Sequence, residues 1–435
     1  MTPLRKVSVA ILSWNGRHHL ETCLAALAAQ HDPGVEWEIL VLDNGSADGT
    51  AAWLRERWGR ERRLRLIESP VNLGFCAGNN RLVAAADGDA VAFLNNDTRP
   101  EADWLGSLVE LLASAPADVA AVSGKIVDWA GERLDFGRGV MTFDGHAFQL
   151  DYRRPLATAR LPAAGDELLF ACGGNMLVRR ASFLAAGGFD ESYFAYLEDV
   201  DLGWRLWSGG ERIVFAPGAA VHHRSSATSD LLGLYNRGFL FERNAFLTAY
   251  KNYEPGLWER VMPAVMLALT SRTQALLETN PGAGLLRVDP YAGHIANTGR
   301  TPTLQIPPAS TWEGFRIRWK GYGPREFLRR GLRKLGVGSS PSSEVPRIVD
   351  ERTIAQFRAL RWLVDHVDAA AEARAAVQCR RRRSDAEILE RFPVYLVPTY
   401  PGDQALFASA GFQAWLPEGL PVVKARLEEV MEMGS

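Results

Sequence analysis

The sequence has little cysteine and almost no net charge. Its four cysteines, Cys23, Cys76, Cys172 and Cys379, stand alone, with no C-x-x-C spacing. This scatter argues against a zinc site or a disulfide framework and predicts buried, apolar thiols in a reducing compartment. A formal net charge of -2 over 435 residues provides no field that would attract nucleic acid. We therefore expect a protein without a nucleic-acid partner.

Long apolar runs are also lacking. The run in MTPLRKVSVAILSWNG ends at Ser13 after about six residues, too few for a signal peptide. VMPAVMLALT falls short of the roughly 18 residues that a membrane span requires. We expect a cytoplasmic protein, at most peripheral at the inner face of the cell membrane.

Two common phosphate-binding motifs are missing as well. The chain contains no complete G-x-G-x-x-G and no G-x-x-x-x-G-K-[ST]. Without these glycine-rich loops, a plain dinucleotide dehydrogenase or a P-loop enzyme is disfavoured.

The first 125 residues do contain a regular alternation of strand and helix patterns. The predicted strands are VSVAILSW, WEILVLD, RLRLIES, AVAFLN and VAAVSG. Amphipathic helices are predicted for HHLETCLAALAAQ, ADGTAAWLRERW (entered through Ser46 as N-cap) and ADWLGSLVELLAS. This order predicts an α/β fold with a mostly parallel sheet flanked by helices.

Polar loops follow these strands at the sheet edge where α/β proteins bind ligands. They are NG at 15–16, DNGSADGT at 43–50, PVNLGFCAGNN at 70–80 and NNDTRP at 95–100. Asn95, Asn96 and Asp97 offer oxygen ligands suited to a hard divalent cation that bridges a diphosphate. An Asx turn before Pro100 would explain the same residues.

The segment YFAYLEDVDLGWRL concentrates acids behind a group of aromatic residues. Glu198, Asp199 and Asp201 lie within four positions of one another. A structural explanation is that acids in a first helical turn favour the helix dipole, with Asp201 and Arg205 forming an i,i+4 pair. A chemical explanation is that one carboxylate acts as a general base.

Taken in order with AVHHRSS, these motifs resemble the family 2 glycosyltransferases over about residues 5–255, especially bacterial rhamnosyl- and galactofuranosyltransferases. The resemblance implies a Rossmann-like GT-A domain at 1–255 that binds a nucleotide sugar. The remaining region, 256–435, is expected to be mainly helical and to be associated with the acceptor or a membrane.

The resemblance also implies individual roles. Asp199 is the expected catalytic base, with Glu198 beside it as helper or acceptor contact, and Asp201 is structural. Asp97 and His223 would bind the cation, Mg²⁺ or Mn²⁺. The expected nucleotide-sugar-binding residues are Asn15, Asp43, Asn72, Asn95 and Asn96. Asn95 departs from the D-x-D pattern, because it stands where the first aspartate would be.

We thus expect an inverting, metal-dependent glycosyltransferase that uses a UDP- or dTDP-sugar, with a rhamnose-like donor favoured. Its acceptor would be a glycan or a lipid-linked sugar in surface polysaccharide assembly. One alternative, a sugar nucleotidyltransferase, needs a glycine-rich basic loop that SWNGRHHL lacks. Another is a non-catalytic carbohydrate- or partner-binding protein on the same scaffold.

The C-terminal part contains two basic segments. Residues 315–335 hold eight Lys or Arg against one Glu, interleaved with aromatic residues, and CRRRRSD follows at 379–385. Such a composition suits contact with an anionic membrane surface, and a solvated basic face fits it equally.

Overall fold

The computed structural model describes residues 4–224, 233–279, 348–399 and 403–431. The basic segment 315–335 lies outside these residues, so its predicted lipid contact stays a prediction.

The secondary structure follows the predicted alternation in the first half of the chain. The strands are β1 (Lys6–Ser13), β2 (Glu36–Asn44), β3 (Leu64–Ser69), β4 (Ala90–Leu94), β5 (Thr98–Pro100), β6 (Val119–Asp128), β7 (Leu134–Phe136), β8 (Gly139–Met141), β9 (Ala147–Gln149), β10 (Asn175–Arg179), β11 (Arg212–His223), β12 (Val394–Leu396) and β13 (Val422–Lys424). The helices of the first half are α1 (Arg17–Ala28), α2 (Thr50–Trp58), α3 (Gly74–Ala85), α4 (Trp104–Ser114), α5 (Arg180–Ala186), α6 (Glu198–Ser208) and α7 (Gly233–Asn252). Those that follow are α8 (Pro255–Thr279), α9 (Ile348–Asp365), α10 (Val367–Cys379), α11 (Asp385–Arg391), α12 (Asp403–Ala408), α13 (Ala410–Gln413) and α14 (Leu427–Val430).

The main sheet has the order β3-β2-β1-β4-β10-β6-β11-β5, with β7 also paired to β6. Strands β1 to β4 run parallel, as do β6 and β11, whereas β10 is antiparallel to both of its neighbours. Every residue of β4 is buried, which is typical of a strand covered by helices on both faces. The predicted fold class, a mostly parallel α/β sheet followed by a mainly helical region, is confirmed.

One local prediction is wrong. Helix α2 begins at Thr50, after Gly49 in a left-handed conformation, so Ser46 is not its N-cap. The Ser46 hydroxyl instead accepts a hydrogen bond from the Asn15 backbone N–H at 2.8 Å. Ser46 therefore joins the loops after β1 and β2.

The second basic cluster binds the protein's own backbone. Arg383 donates to the carbonyls of Trp207, Gly210 and Glu211 at the end of α6, at 2.9 to 3.1 Å. Arg381 donates to the carbonyl of Asn252 at the end of α7. Cationic side chains satisfy the unpaired carbonyls at a helix C-terminus, so these two arginines hold the C-terminal region against α6 and α7 and are not available to lipid.

The cysteine prediction is correct only in part. Cys23 and Cys76 are buried, whereas Cys172 is half-buried and Cys379 is exposed.

None of the helices in the described ranges is long and apolar enough to cross a membrane.

Candidate active site

A cavity of about 570 Å³ lies at the carboxyl ends of the parallel strands. The predicted site residues among its lining are Asn72, Asn95, Asn96, Asp97, Glu198, Asp199 and His223. The chain therefore brings together side chains from four separate segments, as expected for loops at one edge of a parallel sheet.

Asn15 and Asp43 are not part of this lining. The Asn15 side-chain oxygen accepts from the backbone N–H of Ala47, at 2.8 Å. The Asp43 carboxylate accepts from the backbone N–H of Ser46, at 3.2 Å. Both side chains thus order the loop after β2, and their predicted contacts with the nucleotide stay predictions.

Asn44, which the sequence did not single out, lines the cavity and supports Asn72. Its amide nitrogen donates to the Asn72 side-chain oxygen at 2.9 Å, and its oxygen accepts from the Leu73 backbone N–H at 2.9 Å. The same Asn72 oxygen accepts from the Gly74 N–H at 2.9 Å. The two asparagines thus fix the loop that leads into α3. Small residues at this helix start would let a nucleotide approach the backbone closely.

His223 lies between two carboxylates. Its Nε2 is 3.3 Å from Oδ1 of Asp97, and its Nδ1 is 2.7 Å from Oδ2 of Asp135. Strand pairing causes this arrangement: β5 and β7 lie on opposite sides of β6 and β11, with His223 opposite Thr98. Sequence analysis predicted Asp97 and His223 but missed Asp135.

The charges of this trio depend on one another. Burial alone would lower the pKa of His223, but the hydrogen bonds and charges of Asp135 and Asp97 raise it to about 10. Burial likewise opposes ionisation of Asp97, yet the hydrogen bond and charge of His223 lower the pKa of that carboxyl below its ordinary value. Without a cation, His223 is an imidazolium that bridges two carboxylates.

The Asp97 and His223 atoms are spaced as two ligands of one cation would be. Two donors at about 2.1 to 2.3 Å on perpendicular axes of an ion lie about 3 Å apart, close to the 3.3 Å seen here. The Asp135 hydrogen bond on Nδ1 leaves Nε2 facing Asp97, the arrangement typical of metal-bound histidines. Across the described part of the chain, no group of three or more His, Cys, Asp or Glu is arranged to hold a metal ion. A cation at Asp97 and His223 would therefore need its remaining ligands from a diphosphate and water.

Asp199 is held in a fixed orientation at the cavity wall. Its Oδ2 accepts from the Gly173 backbone N–H at 3.2 Å, and its Oδ1 accepts from the Val200 N–H at 2.9 Å. Burial raises the pKa of Asp199 to about 6, because these hydrogen bonds only partly compensate the lost solvation. The carboxylate is thus ionised at neutral pH, and its raised pKa makes it a stronger proton acceptor than an ordinary aspartate.

Glu198 differs sharply from its neighbour. It is buried, and its Oε2 has no hydrogen-bond partner within the described residues. Burial, followed by the charge of Asp199, raises the pKa of Glu198 well above its ordinary value. Burial and the charge of Asp199 thus both oppose ionisation of Glu198.

Asp201 has a structural environment. It is fully buried, and its Oδ2 lies 2.7 Å from the guanidinium of Arg205. Its Oδ1 lies 3.1 Å from Nζ of Lys251 and accepts from the Asn252 amide at 3.0 Å. Burial is outweighed by Arg205 and Lys251, which lower the pKa of Asp201 to about 2. The predicted pairing with Arg205 is confirmed, but it is buried and has further partners.

The cavity has walls that the sequence did not predict. Trp14 lines it, and its indole N–H is buried without a hydrogen-bond partner among the described residues. Tyr152 also lines it, as does Met431 from the C-terminal end of the chain, and a single β-bridge pairs these two residues. Of these three residues, only Trp14 could have been predicted, because it directly precedes the polar NG that follows β1.

Comparisons with known proteins find glycosyltransferases. The family description Glycosyl transferase family 2 matches residues 8–185. An N-acetylglucosaminyl-diphospho-decaprenol L-rhamnosyltransferase of Mycobacterium tuberculosis is 31% identical over 244 residues, which cover 51% of this chain and 76% of that protein. The O-antigen biosynthesis protein RfbC of Myxococcus xanthus is 31% identical over 231 residues, covering 51% of this chain but 18% of that protein.

Solved structures give a weaker likeness. The mannosyltransferase PcManGT from Pyrobaculum calidifontis, in complex with GDP-Man and Mn²⁺, has a TM-score of 0.44 and 15% identity, covering 84% of this chain and 88% of that chain. GalNAc-T7 with UDP, GalNAc and Mn²⁺ has a TM-score of 0.47 and 13% identity, covering 65% of this chain and 52% of that chain.

Proposed function

Since the chain belongs to glycosyl transferase family 2 and is a glycosyltransferase, we propose that it transfers a sugar with inversion from a nucleoside-diphosphate donor, with a divalent cation bound at Asp97 and His223. The observation that carries this proposal is that one cavity is lined by both the Asp97 and His223 pair and the Glu198 and Asp199 pair. One pair suits the diphosphate of a donor, and the other suits the hydroxyl of an acceptor.

Asp199 is the proposed base. In an inverting transfer, a carboxylate removes the proton of the acceptor hydroxyl while that oxygen attacks the anomeric carbon. Asp199 meets this need because it is ionised at neutral pH and is oriented by two backbone N–H groups. Glu198, which lies beside Asp199 and whose pKa is raised by burial, would contact the acceptor.

A divalent cation bound by Asp97 and His223 would supply the positive charge that neutralises the departing diphosphate. Asp135 would keep the His223 ring oriented with Nε2 towards Asp97. Since Asn95 replaces an acid in the D-x-D position, we expect this cation to be bound weakly until the nucleotide is present.

For the substrates, we propose a dTDP- or UDP-linked sugar, with dTDP-rhamnose as the first choice. The similarity to an L-rhamnosyltransferase named for a diphospho-decaprenol acceptor supports this choice and a lipid-linked glycan acceptor. The similarity to an O-antigen biosynthesis protein supports a place in surface polysaccharide assembly. We propose residues 1–255 as the catalytic domain and 256–435 as a region that serves acceptor or membrane contact.

A calorimetric screen of nucleotide sugars tests the donor proposal. A true donor binds the folded state, so at about 100 times its Kd it stabilises that state by about 2.7 kcal/mol. We expect dTDP-rhamnose or a UDP-sugar to raise the melting temperature with Mn²⁺ or Mg²⁺ present, and GDP-mannose to leave it unchanged. No shift with any pyrimidine nucleotide sugar would contradict the proposal.

Membrane contact through residues 315–335 is tested separately by sedimentation with anionic vesicles. We expect salt to release the protein, because ions screen attraction between exposed charges. Replacing Arg329, Arg330, Arg333 and Lys334 by Ser should weaken sedimentation and leave donor binding intact. Unchanged sedimentation of that variant would leave a solvated basic face as the explanation.

A further inference from the structure

The segment directly before the catalytic helix α6 has an unusual backbone. Phe194, Tyr196 and Leu197 have φ angles of 63°, 71° and 63°. Residues with a Cβ rarely adopt this left-handed region, because the Cβ then crowds the neighbouring carbonyl. Such conformations persist only where surrounding contacts enforce them, and they concentrate at functional sites.

Asn244 of α7 supplies these contacts. It is fully buried, and its amide nitrogen lies within hydrogen-bond distance of three carbonyl oxygens of the segment. They are those of Tyr193 at 3.1 Å, Ala195 at 2.8 Å and Tyr196 at 2.7 Å. An amide carries two N–H groups, so the three carbonyls share them, and the backbone must curl around this one side chain.

Neighbouring groups reinforce the same curl. Arg243 donates to the Tyr193 carbonyl at 2.7 Å, and its Nε donates to the Asn244 side-chain oxygen at 2.9 Å. That second bond fixes the amide so that its nitrogen faces the segment. On the other side, the Phe194 carbonyl accepts from the N–H groups of Phe75 and Cys76, at 2.6 and 3.1 Å.

The curled segment leads without a break into the catalytic carboxylates. Leu197 is the residue before α6, and Glu198 and Asp199 form the first turn of that helix. The side of the cavity next to Asp199 is built by Phe194, Ala195, Tyr196 and Leu197. A change in the curl would therefore shift both the start of α6 and the wall that an acceptor contacts.

We propose that Asn244 is a positioning residue for Asp199, holding the strained segment 193–197 in the one conformation that directs the carboxylate into the cavity. This inference rests on the proposed function, because it takes Asp199 as the base. Asn244 itself is not among the residues that line the cavity, so it acts through the segment.

The test replaces Asn244→Asp, which keeps the shape but removes the N–H donors and sets a carboxylate against three carbonyls. We expect kcat for dTDP release from dTDP-rhamnose to fall by about 10²-fold, the usual cost of misplacing a reacting group by about 1 Å. The calorimetric Kd for dTDP with Mn²⁺ should stay within about twofold, because Asn72, Asp97 and His223 lie on other elements.

Asn252→Asp is the matched control. Asn252 is also fully buried on α7, but its amide nitrogen donates to Asp201 and not to the curled segment. We expect this variant to lower the melting temperature and to retain kcat at a temperature where it is folded. If Asn244→Asp does not fold, Asn244→Ser takes its place, judged by the same criteria.

Three results would overturn the inference: normal kcat in the Asn244 variant, equal loss of kcat in both variants at matched stability, or loss of dTDP affinity together with kcat. Failure of the proposed function looks different. In that case the wild-type protein releases neither dTDP nor UDP from the nucleotide sugars of the screen, or Asp199→Asn releases the nucleotide at the wild-type rate.

Discussion

The backbone nitrogen of Gly173 lies 3.2 Å from Oδ2 of Asp199. A Cβ at position 173 would come within 3.1 Å of the Phe75 ring, so glycine avoids a tight contact between this turn and α3. The turn before β10 thus packs beside α3 while it donates the Gly173 N–H to the Asp199 carboxylate of α6. The loop before β10 thus orients the proposed base.

The pH dependence of turnover follows from the environment of Asp199. Its pKa is raised to about 6 by burial, and a base is active only when deprotonated. We therefore expect kcat for dTDP release to be lost as pH falls through about 6 and to be nearly constant above about 7. A profile measured between pH 4.5 and 8.5 checks this, and an acid limb centred near pH 4 would contradict it.

Asp201→Asn should cost stability more than activity. The change leaves Arg205 as a buried cation without its anion, while Lys251 keeps only its pairing with Asp190, and breaking a buried ion pair costs about 3 to 5 kcal/mol. Denaturant unfolding measures this loss, which exceeds what an exposed i,i+4 pair would give. Turnover of the folded variant should be nearly normal.

The pairing of Asp201 with Arg205 and Lys251 also predicts how the free energy of unfolding depends on pH. The folded-state pKa of Asp201 is depressed to about 2, so its stabilisation is fully present above the ordinary aspartate pKa. It is lost as pH falls towards 2. The difference in free energy of unfolding between wild type and Asp201→Asn should accordingly shrink below pH 4, and a constant difference would contradict the assignment.

Removing the cation should weaken nucleotide binding, and the effect should depend on Asp97, which would bind the cation, and on Asp135, which orients His223. We expect EDTA to lower the affinity for dTDP or UDP, and Asp97→Ala to abolish the gain from Mn²⁺. Asp135→Ala should raise the Kd for Mn²⁺ in the presence of dTDP by about 10 to 100-fold, as loss of a hydrogen bond to a metal-binding histidine usually does.

Asp118→Ala is a suitable control for the cation experiments, because Asp118 forms an ion pair with Arg212 outside the cavity lining. It should bind Mn²⁺ and dTDP as the wild type does. Equal nucleotide affinity in EDTA and in Mn²⁺ would exclude the cation assignment.

Much of the fold was predictable because local pattern and tertiary structure agree. The β-branched runs after Arg5 and Glu36 form β1 and β2, and the polar loops that follow them meet at one edge of the sheet. Glu198 and Asp199 were recognisable because their segment, taken in order with the other motifs, resembles the family 2 glycosyltransferases.

Asp135 was not predictable from the sequence, for a physical reason. It lies in a strand of three residues within an irregular stretch, and its partner His223 is 88 positions away on a strand beyond β6. The left-handed segment bound by Asn244 was hidden for a similar reason, since its residues are not glycine and its conformation is imposed by α7. Asn15 and Asp43 were assigned to the correct sheet edge, but their side chains turn to the Ser46 loop.

The rate of sugar transfer by Asp199→Asn tests the central claim most directly. The amide keeps the shape of the side chain but cannot accept the acceptor proton, so at saturating dTDP-rhamnose, or the donor that the screen identifies, we expect kcat to fall by roughly 10² to 10⁴ with unchanged donor affinity. Glu198→Gln, measured beside it, should lose less, because Glu198 is proposed to contact the acceptor and not to remove its proton. A normal rate for Asp199→Asn would contradict the account, and a large loss confined to Glu198→Gln would show that the base is its neighbour.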